Sequence, residues 1–420
     1  MGKKRILSLG LNQINFIEQL YGGIKEKDNS FLFDIDNFLN FTNNTIKKNN
    51  SYYNRFFNFN KIKFSIINKL KYLIIIFQRK LFWKQLILEI HLNGIKKNFN
   101  FIKKSTRDFY IVSEVIKPLN HDFYHFHSIV KPNVKYLQYL PKNKKVICSF
   151  WGLDLYQRWG LNTYYYISLA LNRSNIITVQ SLEMKEVLLA KFGSYLREKV
   201  RVLTFPLEKK IFNKIDKHIN DFHKQIEFKK SIGIVDLKKT VITIGYNASA
   251  NGRHIEVLHQ LNTLTNSVKS KMIVVLPLTY GRDINYLKQL ENCLLELTNI
   301  DVYKIESYMS WDDIALLKII SDITIQVPFN DALSSAILEV LYAKNIVLAG
   351  DWLPYRVYER NNINYEKADS INSLNINLKP ILENIELYKE RNKMNPEYIK
   401  KVFLSESIIQ NWIDIYNELM

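Results

Sequence analysis

The stretch Ser310–Asp351, SWDDIALLKIISDITIQVPFNDALSSAILEVLYAKNIVLAGD, decides the fold. It reads as a helix, a polar break at Asp322, an apolar β-branched run ending at Pro328, a loop, a second helix from about Leu333, and another apolar run. A buried strand whose loop leads straight into a helix is the repeating unit of a parallel sheet covered by helices. Chemistry gathers at such junctions, because the unpaired N–H groups of a helix start, and its dipole, point at an anion. Ala332, Leu333, Ser334 and Ser335 can therefore hold a diphosphate. Asp331 and Glu339 lie eight residues apart, the first in the loop and the second about two turns along the helix. A carboxylate at the second position can accept two hydrogen bonds from a ribose diol.

The same alternation of short apolar runs and helical segments occurs twice along the 420 residues. Strands are expected at Arg5–Leu9, Phe123–Val130, Lys145–Phe150, Asn175–Val179 and Val200–Thr204, and again at Thr240–Tyr246, Lys271–Pro277, Ile300–Tyr303, Ile323–Val327 and Asn345–Ala349. The polar, charged run from Pro206 to Ile234 suits a connection between two sheets. The expected organisation is an N-terminal α/β domain over 1–206, a connection over 207–236, a second α/β domain over 237–395, and one amphipathic C-terminal helix over 396–420 that can pack back on the first domain.

Lys and Arg number 59 against 40 acidic residues, a net charge of +19 that calls for an anionic partner. Segment 46–108 holds 15 Lys or Arg against Glu89 and Asp108, so +13 of that charge lies in one basic insertion interleaved with Phe and Trp. Either the insertion lies on an anionic membrane, or the lysines are a solvated face over core aromatics. No recognisable nucleic-acid-binding module accompanies the charge, so no nucleic acid partner is expected. The apolar run Tyr72–Phe77 is far short of the roughly 20 residues that span a bilayer. The N-terminus reads as a first strand instead of a signal peptide, and the only cysteines, Cys148 and Cys293, sit in apolar runs, as expected of a cytoplasmic protein. P-loop, G-x-G-x-x-G, nucleophile-elbow and zinc-ribbon patterns are all missing from the sequence, which argues against a kinase or a dehydrogenase.

Several residues at expected strand ends have both a chemical and a structural reading. Asn247 and Ser249 bind phosphate or form a turn after Gly245, and Arg253 and His254 neutralise a diphosphate or cap a helix. Tyr280 and Arg282 follow a buried strand and share its sheet edge, or form a plain turn. Gly10 permits close approach of a ligand or is a loop glycine. His125 and His127 alternate with Phe126, so both imidazoles fall on one strand face; no Cys or Glu at ligand spacing supports a metal, and none is expected. Asp154 is a general base or a helix cap.

The Asp331-x(7)-Glu339 element resembles the Glu-x(7)-Glu element in the C-terminal half of GT-B glycosyltransferases, with Asp as a conservative departure. The resemblance continues in order through RSNIITVQSLEMKEVL (Arg173–Leu188), VRVLTFPLEKKIF (Val200–Phe212) and TVITIGYNASANGRHIEVLHQL (Thr240–Leu261), covering Val146 to about Tyr355. It implies two Rossmann-like domains whose parallel sheets face each other across a cleft. The donor would be a nucleoside-diphosphate sugar, possessing no further cofactor, on Gly245, Asn247, Ser249, Arg253, His254, Tyr280, Arg282, Ser334, Ser335 and Glu339. The acceptor would meet Gly10, His125 and Trp151, and catalysis would fall to Asp154, His127 and Asp331. Trp151-Gly152-Leu153-Asp154 replaces the family's common His-Gly-x-Asp. GYNASANGRHIEVL, VLPLTYGRDINYL (Val275–Leu287) and WGLDLY (Trp151–Tyr156) are further similar to transferases that move N-acetylfucosamine-type sugars from a dTDP donor to a lipid-linked acceptor in bacterial surface-polysaccharide assembly. That resemblance implies a lipid-linked glycan acceptor and a peripheral place on the inner face of the cell membrane. A non-catalytic sugar-binding or scaffold subunit, or an epimerase or phosphorylase on this fold, is the competing reading.

Overall fold

The structure, a computed structural model, describes residues 3–10, 14–36, 53, 55–94 and 98–420, without the side chains of Ile14, Asn15, Phe56 and Asn60. The insertion's Lys47, Lys48, Lys96 and Lys97 lie outside the described residues. The chain divides into two compact units, Met1–Pro206 with Glu406–Met420, and Leu207–Ser405.

Among the described residues the first unit is built on a seven-stranded parallel sheet. Its strands are β1 (Lys4–Leu9), β2 (Phe31–Asp36), β3 (Arg55–Phe57), β4 (Phe123–His127), β5 (Lys145–Ser149), β6 (Ile176–Val179) and β7 (Val200–Val202), in the order β3-β2-β1-β4-β5-β6-β7. The second unit has six parallel strands, β8 (Thr240–Ile244), β9 (Met272–Pro277), β10 (Asp301–Ile305), β11 (Ile323–Gln326), β12 (Ile346–Gly350) and β13 (Glu366–Ala368), in the order β10-β9-β8-β11-β12-β13. Runs such as Met272–Pro277 are apolar without alternation because helices cover both sheet faces, and every residue of that strand is buried.

Each order reverses direction once, between β1 and β4 (Leu9 beside Phe126) and between β8 and β11 (Ile244 beside Ile325). At such a reversal the loops leaving adjacent strands diverge and open a crevice at the carboxyl edge. Gly10 and His127 stand at the first reversal, and Gly245 and Val327 at the second.

Two expectations are corrected, and three strands were not expected. The run after Pro206 is no free connection: Ile211, Phe212 and Ile215 of the helix Lys209–His218 are buried in the core of the second unit. The C-terminal segment is two helices, Asn395–Phe403 and Ser407–Glu418, broken at Leu404–Glu406. Ile399 and Phe403 of the former belong to the core of the second unit, whereas Trp412 and Tyr416 of the latter are buried in the first unit with Ile6, Tyr21 and Phe123. Strands β2, β3 and β13 escape a search for apolar runs: FLFDID carries two carboxylates, and the other two strands are three residues long.

Candidate functional site

In the second unit, loops from four strands are laced into one rim. Gly245 opens the first with φ 65°, and a Cβ there would lie 2.9 Å from His254 Nε2, so both the backbone and the imbedded ring require glycine. Asn247 Oδ1 accepts from the Ser249 N–H at 2.9 Å and Ser249 Oγ from the Asn251 N–H at 3.2 Å, making two successive side-chain turns. The Ala248 N–H donates to Tyr280 O at 2.8 Å, joining the loop after β9. The Asn251 amide donates to Asn330 O at 3.0 Å, joining the loop after β11, and Trp352 Nε1 donates to Pro328 O at 2.8 Å, joining the loop after β12.

The donor-binding candidates divide within this rim. Arg253 faces the Phe329 ring at 4.6 Å and the Trp352 ring at 6.0 Å, with its Nε 3.2 Å from a Glu256 carboxylate oxygen. Arg282, half exposed, donates to Glu306 O at 2.6 Å. Tyr280 is exposed, and the neighbouring Gly281 lies against the loop after β8, where a Cβ would sit 3.7 Å from Asn247 and Ser249. Asp331 accepts from the Tyr355 hydroxyl and the Ala332 N–H, each at 2.7 Å, while burial raises its pKa; it ties the loop after β11 to Tyr355. His254 is corrected: the ring is wholly buried, its Nδ1 lies 3.0 Å from the Tyr286 hydroxyl, and burial pushes its pKa down to about 4. A neutral ring beneath Gly245 supports the loop but cannot neutralise a diphosphate.

Ser334 is the N-cap of the helix Ser335–Tyr342, but its side chain does not cap the helix, and its carbonyl accepts from the Tyr358 hydroxyl at 3.2 Å. Glu339 lies one turn beyond Ser335, and its Oε2 is 3.4 Å from Lys318 Nζ. Burial raises the pKa of Glu339, and Lys318 opposes that shift. Lys318 was missed from the sequence. The available signal was a single lysine in the otherwise apolar run ALLKII.

The first unit's carboxyl edge has a different character. Gly10 has φ 80°, and a Cβ there would lie 2.4 Å from His127 O, so the close approach is to the protein's own strand β4. His125 and His127 do share a face, with ring centres 3.8 Å apart. Both are buried, however. His125 spends Nδ1 on the Tyr416 hydroxyl (2.8 Å) and Nε2 on Ser149 Oγ (2.6 Å), which leaves no nitrogen for an acceptor and corrects that assignment. His127 Nε2 lies 2.8 Å from the Tyr21 hydroxyl, its Nδ1 has no partner, and burial pushes its pKa down to about 3.

Trp151 is half buried and stacked on Phe205, with centroids 4.1 Å apart and planes at 13°. Asp154 is corrected as well. Its Oδ1 accepts from the N–H groups of Trp151 (2.9 Å) and Gly152 (2.8 Å), and its Oδ2 from that of Ile129 (2.7 Å). Burial raises its pKa to about 6, against the lowering effect of those amides. A carboxylate committed to three amides anchors the loops after β4 and β5 and is not a free base.

No family model matches the chain, and no curated protein does. Solved structures share its architecture end to end. A glycosyltransferase from Rickettsia africae superposes with a TM-score of 0.68 at 14% identity, covering 100% of this chain and 99% of that one. Anabaena Alr3699/HepE in complex with UDP gives 0.63 at 11% identity, covering 99% and 100%. The UDP-GlcNAc 2-epimerase from Neisseria meningitidis, bound to UDP-GlcNAc, gives 0.56 at 14% identity, covering 100% of each chain. The chain has the GT-B fold.

Proposed function

We propose that the chain is a glycosyltransferase that moves a sugar from a nucleoside diphosphate to a hydroxyl of a lipid-linked bacterial surface glycan. The carrying observation is Glu339, a half-buried carboxylate whose side chain is 13% exposed, offset by Lys318, one turn beyond the helix start at Ser334–Ser335 and at a strand-order reversal. A ribose diol donating to Glu339 would set the diphosphate toward the amides at the helix start, with Arg253 and Arg282 on the same rim. The bond from the anomeric carbon to the diphosphate breaks with its electron pair leaving on phosphate, and the acceptor oxygen bonds to that carbon as its proton passes to the departing diphosphate or to solvent. Holding the departing negative charge lowers the barrier electrostatically, a role these groups can fill without a metal.

The first unit would hold the acceptor at its carboxyl edge, beside the half-buried Trp151. That HepE and the epimerase were solved with uridine nucleotides makes UDP the first nucleotide to try, and the likeness to dTDP-sugar transferases makes dTDP the second. A cytoplasmic enzyme working peripherally at the inner membrane face fits a lipid-linked acceptor and the basic insertion. The test is release of nucleoside diphosphate from UDP- and dTDP-sugars with and without lipid-linked acceptor. Acceptor-dependent release is expected. Isomerisation of the donor without acceptor would support an epimerase, and binding without any turnover a sugar-binding subunit.

A further inference from the structure

Two helices of the basic insertion turn apolar faces outward. In Ile66–Phe77 the buried face is Tyr72 and Ile76, while on the opposite side Ile66, Ile67, Leu70 and Ile74 are 73%, 79%, 60% and 64% exposed. In Lys80–Asn93 the buried residues are Phe82, Gln85, Leu86 and Glu89, and Trp83, Ile87 and Ile90 form an exposed stripe. Isolated exposed aliphatics are ordinary, but two adjoining helices with such stripes mark an interaction surface.

The surrounding charge selects the occupant. Lys61, Lys63, Lys69, Lys71, Lys80 and Lys84 are exposed around these stripes. The acidic residues of the segment, Glu89 and Asp108, are buried and paired, with Lys131 at 2.6 Å and Lys135 at 3.1 Å. A face that is aliphatic at its centre, cationic around it and free of exposed carboxylate among the described residues of 55–108 complements an anionic bilayer: acyl chains take the aliphatics and headgroups the ammonium groups. No helix among the described residues is long and apolar enough to cross a membrane, so the contact would lie in the interfacial plane.

We infer that the outward faces of Ile66–Phe77 and Lys80–Asn93 insert into an anionic lipid surface and dock the first unit there. The Glu89–Lys131 pair fixes the second helix to the segment leaving β4, the edge where the acceptor is proposed to bind. The inference deepens the membrane part of the proposed function and rests on that reading only for its purpose, since lipid binding needs no nucleotide.

The experiment is sedimentation of the full chain with vesicles of phosphatidylcholine alone or mixed with phosphatidylglycerol. Binding to the mixed vesicles that falls with salt is expected. Joint Ile66→Ser, Ile67→Ser, Leu70→Ser and Ile74→Ser replacement should weaken it by about a hundredfold or more, and Lys→Gln changes at Lys69, Lys71, Lys80 and Lys84 by roughly fivefold each. Melting temperature and UDP binding, measured on the same variants, should not move. Equal binding by the fourfold serine variant, or no binding by the wild type, overturns the inference. So does a lipid-free dimer that this variant converts to monomer, because the occupant is then a second copy. Loss of UDP binding in the wild type would instead defeat the donor reading and leave lipid docking standing.

Discussion

A glutamate taken from water stays ionised only if nearby groups replace part of its hydration, and Lys318 does this for Glu339. Replacing Glu339 by Gln removes a charged acceptor from the proposed ribose contact, and UDP affinity should fall by about 10- to 100-fold. Because burial raises its pKa, Glu339 takes up a proton at higher pH than an ordinary glutamate. UDP affinity should therefore decline on acidification before the usual carboxylate range is reached, and Lys318→Met should move that decline to still higher pH; calorimetry across a pH series checks both. Asp154 predicts a different pattern. Asp154→Ala leaves three buried N–H groups without an acceptor and should cost about 3 kcal/mol or more in urea unfolding. Lost turnover with unchanged stability would restore it as the base. The junction that carries Ser334, Ser335 and Glu339 was legible because a strand, a loop and a helix start are written in local sequence. His125 was not: its partner Tyr416 lies 291 residues away, and nothing near the strand shows that a C-terminal helix closes over it.

That helix, Ser407–Glu418, completes the first unit, with Trp412 wholly buried and its Nε1 donating to Thr204 O at 2.9 Å. Trp412→Ala should cost about 3–5 kcal/mol, read from the urea midpoint. The amphipathic pattern of the last 25 or so residues was legible, but the break at Leu404–Glu406 was not, since both halves share a helical period. In the second unit Asp312 joins Lys214 (2.7 Å) and His218 (2.6 Å), which ties the helix Trp311–Ile320 to the helix Lys209–His218. The Lys214 hydrogen bond, then that of His218, lowers the Asp312 pKa to about 2. The unfolded chain binds this proton more readily, so the contribution is complete above the usual carboxylate pKa and is lost as pH falls toward about 2. With 36% of the Asp312 side chain exposed, Asp312→Asn should cost under about 1 kcal/mol at pH 7 and nothing at the acid end, measured by thermal unfolding across pH.

For the whole molecule, the twofold recurrence of strand and helix was enough to expect two parallel α/β units, and the register at β1–β4 and β8–β11 locates the two edges where chemistry can be built. The net charge of +19 said only that an anion was involved. Its distribution is more specific, since the exposed lysines of the insertion surround outward aliphatics while the proposed donor rim offers backbone amides, two arginines and a paired glutamate. Such a rim should recognise a nucleoside diphosphate whatever sugar it carries. Isothermal titration of the full chain with UDP and with dTDP, beside the Glu339→Gln variant, tests this most directly. Saturable binding of one of them by the wild type, weakened by about 10- to 100-fold in the variant, is the predicted result. No binding of either nucleotide, or equal binding by a folded Glu339→Gln chain, would contradict the assignment of the donor site.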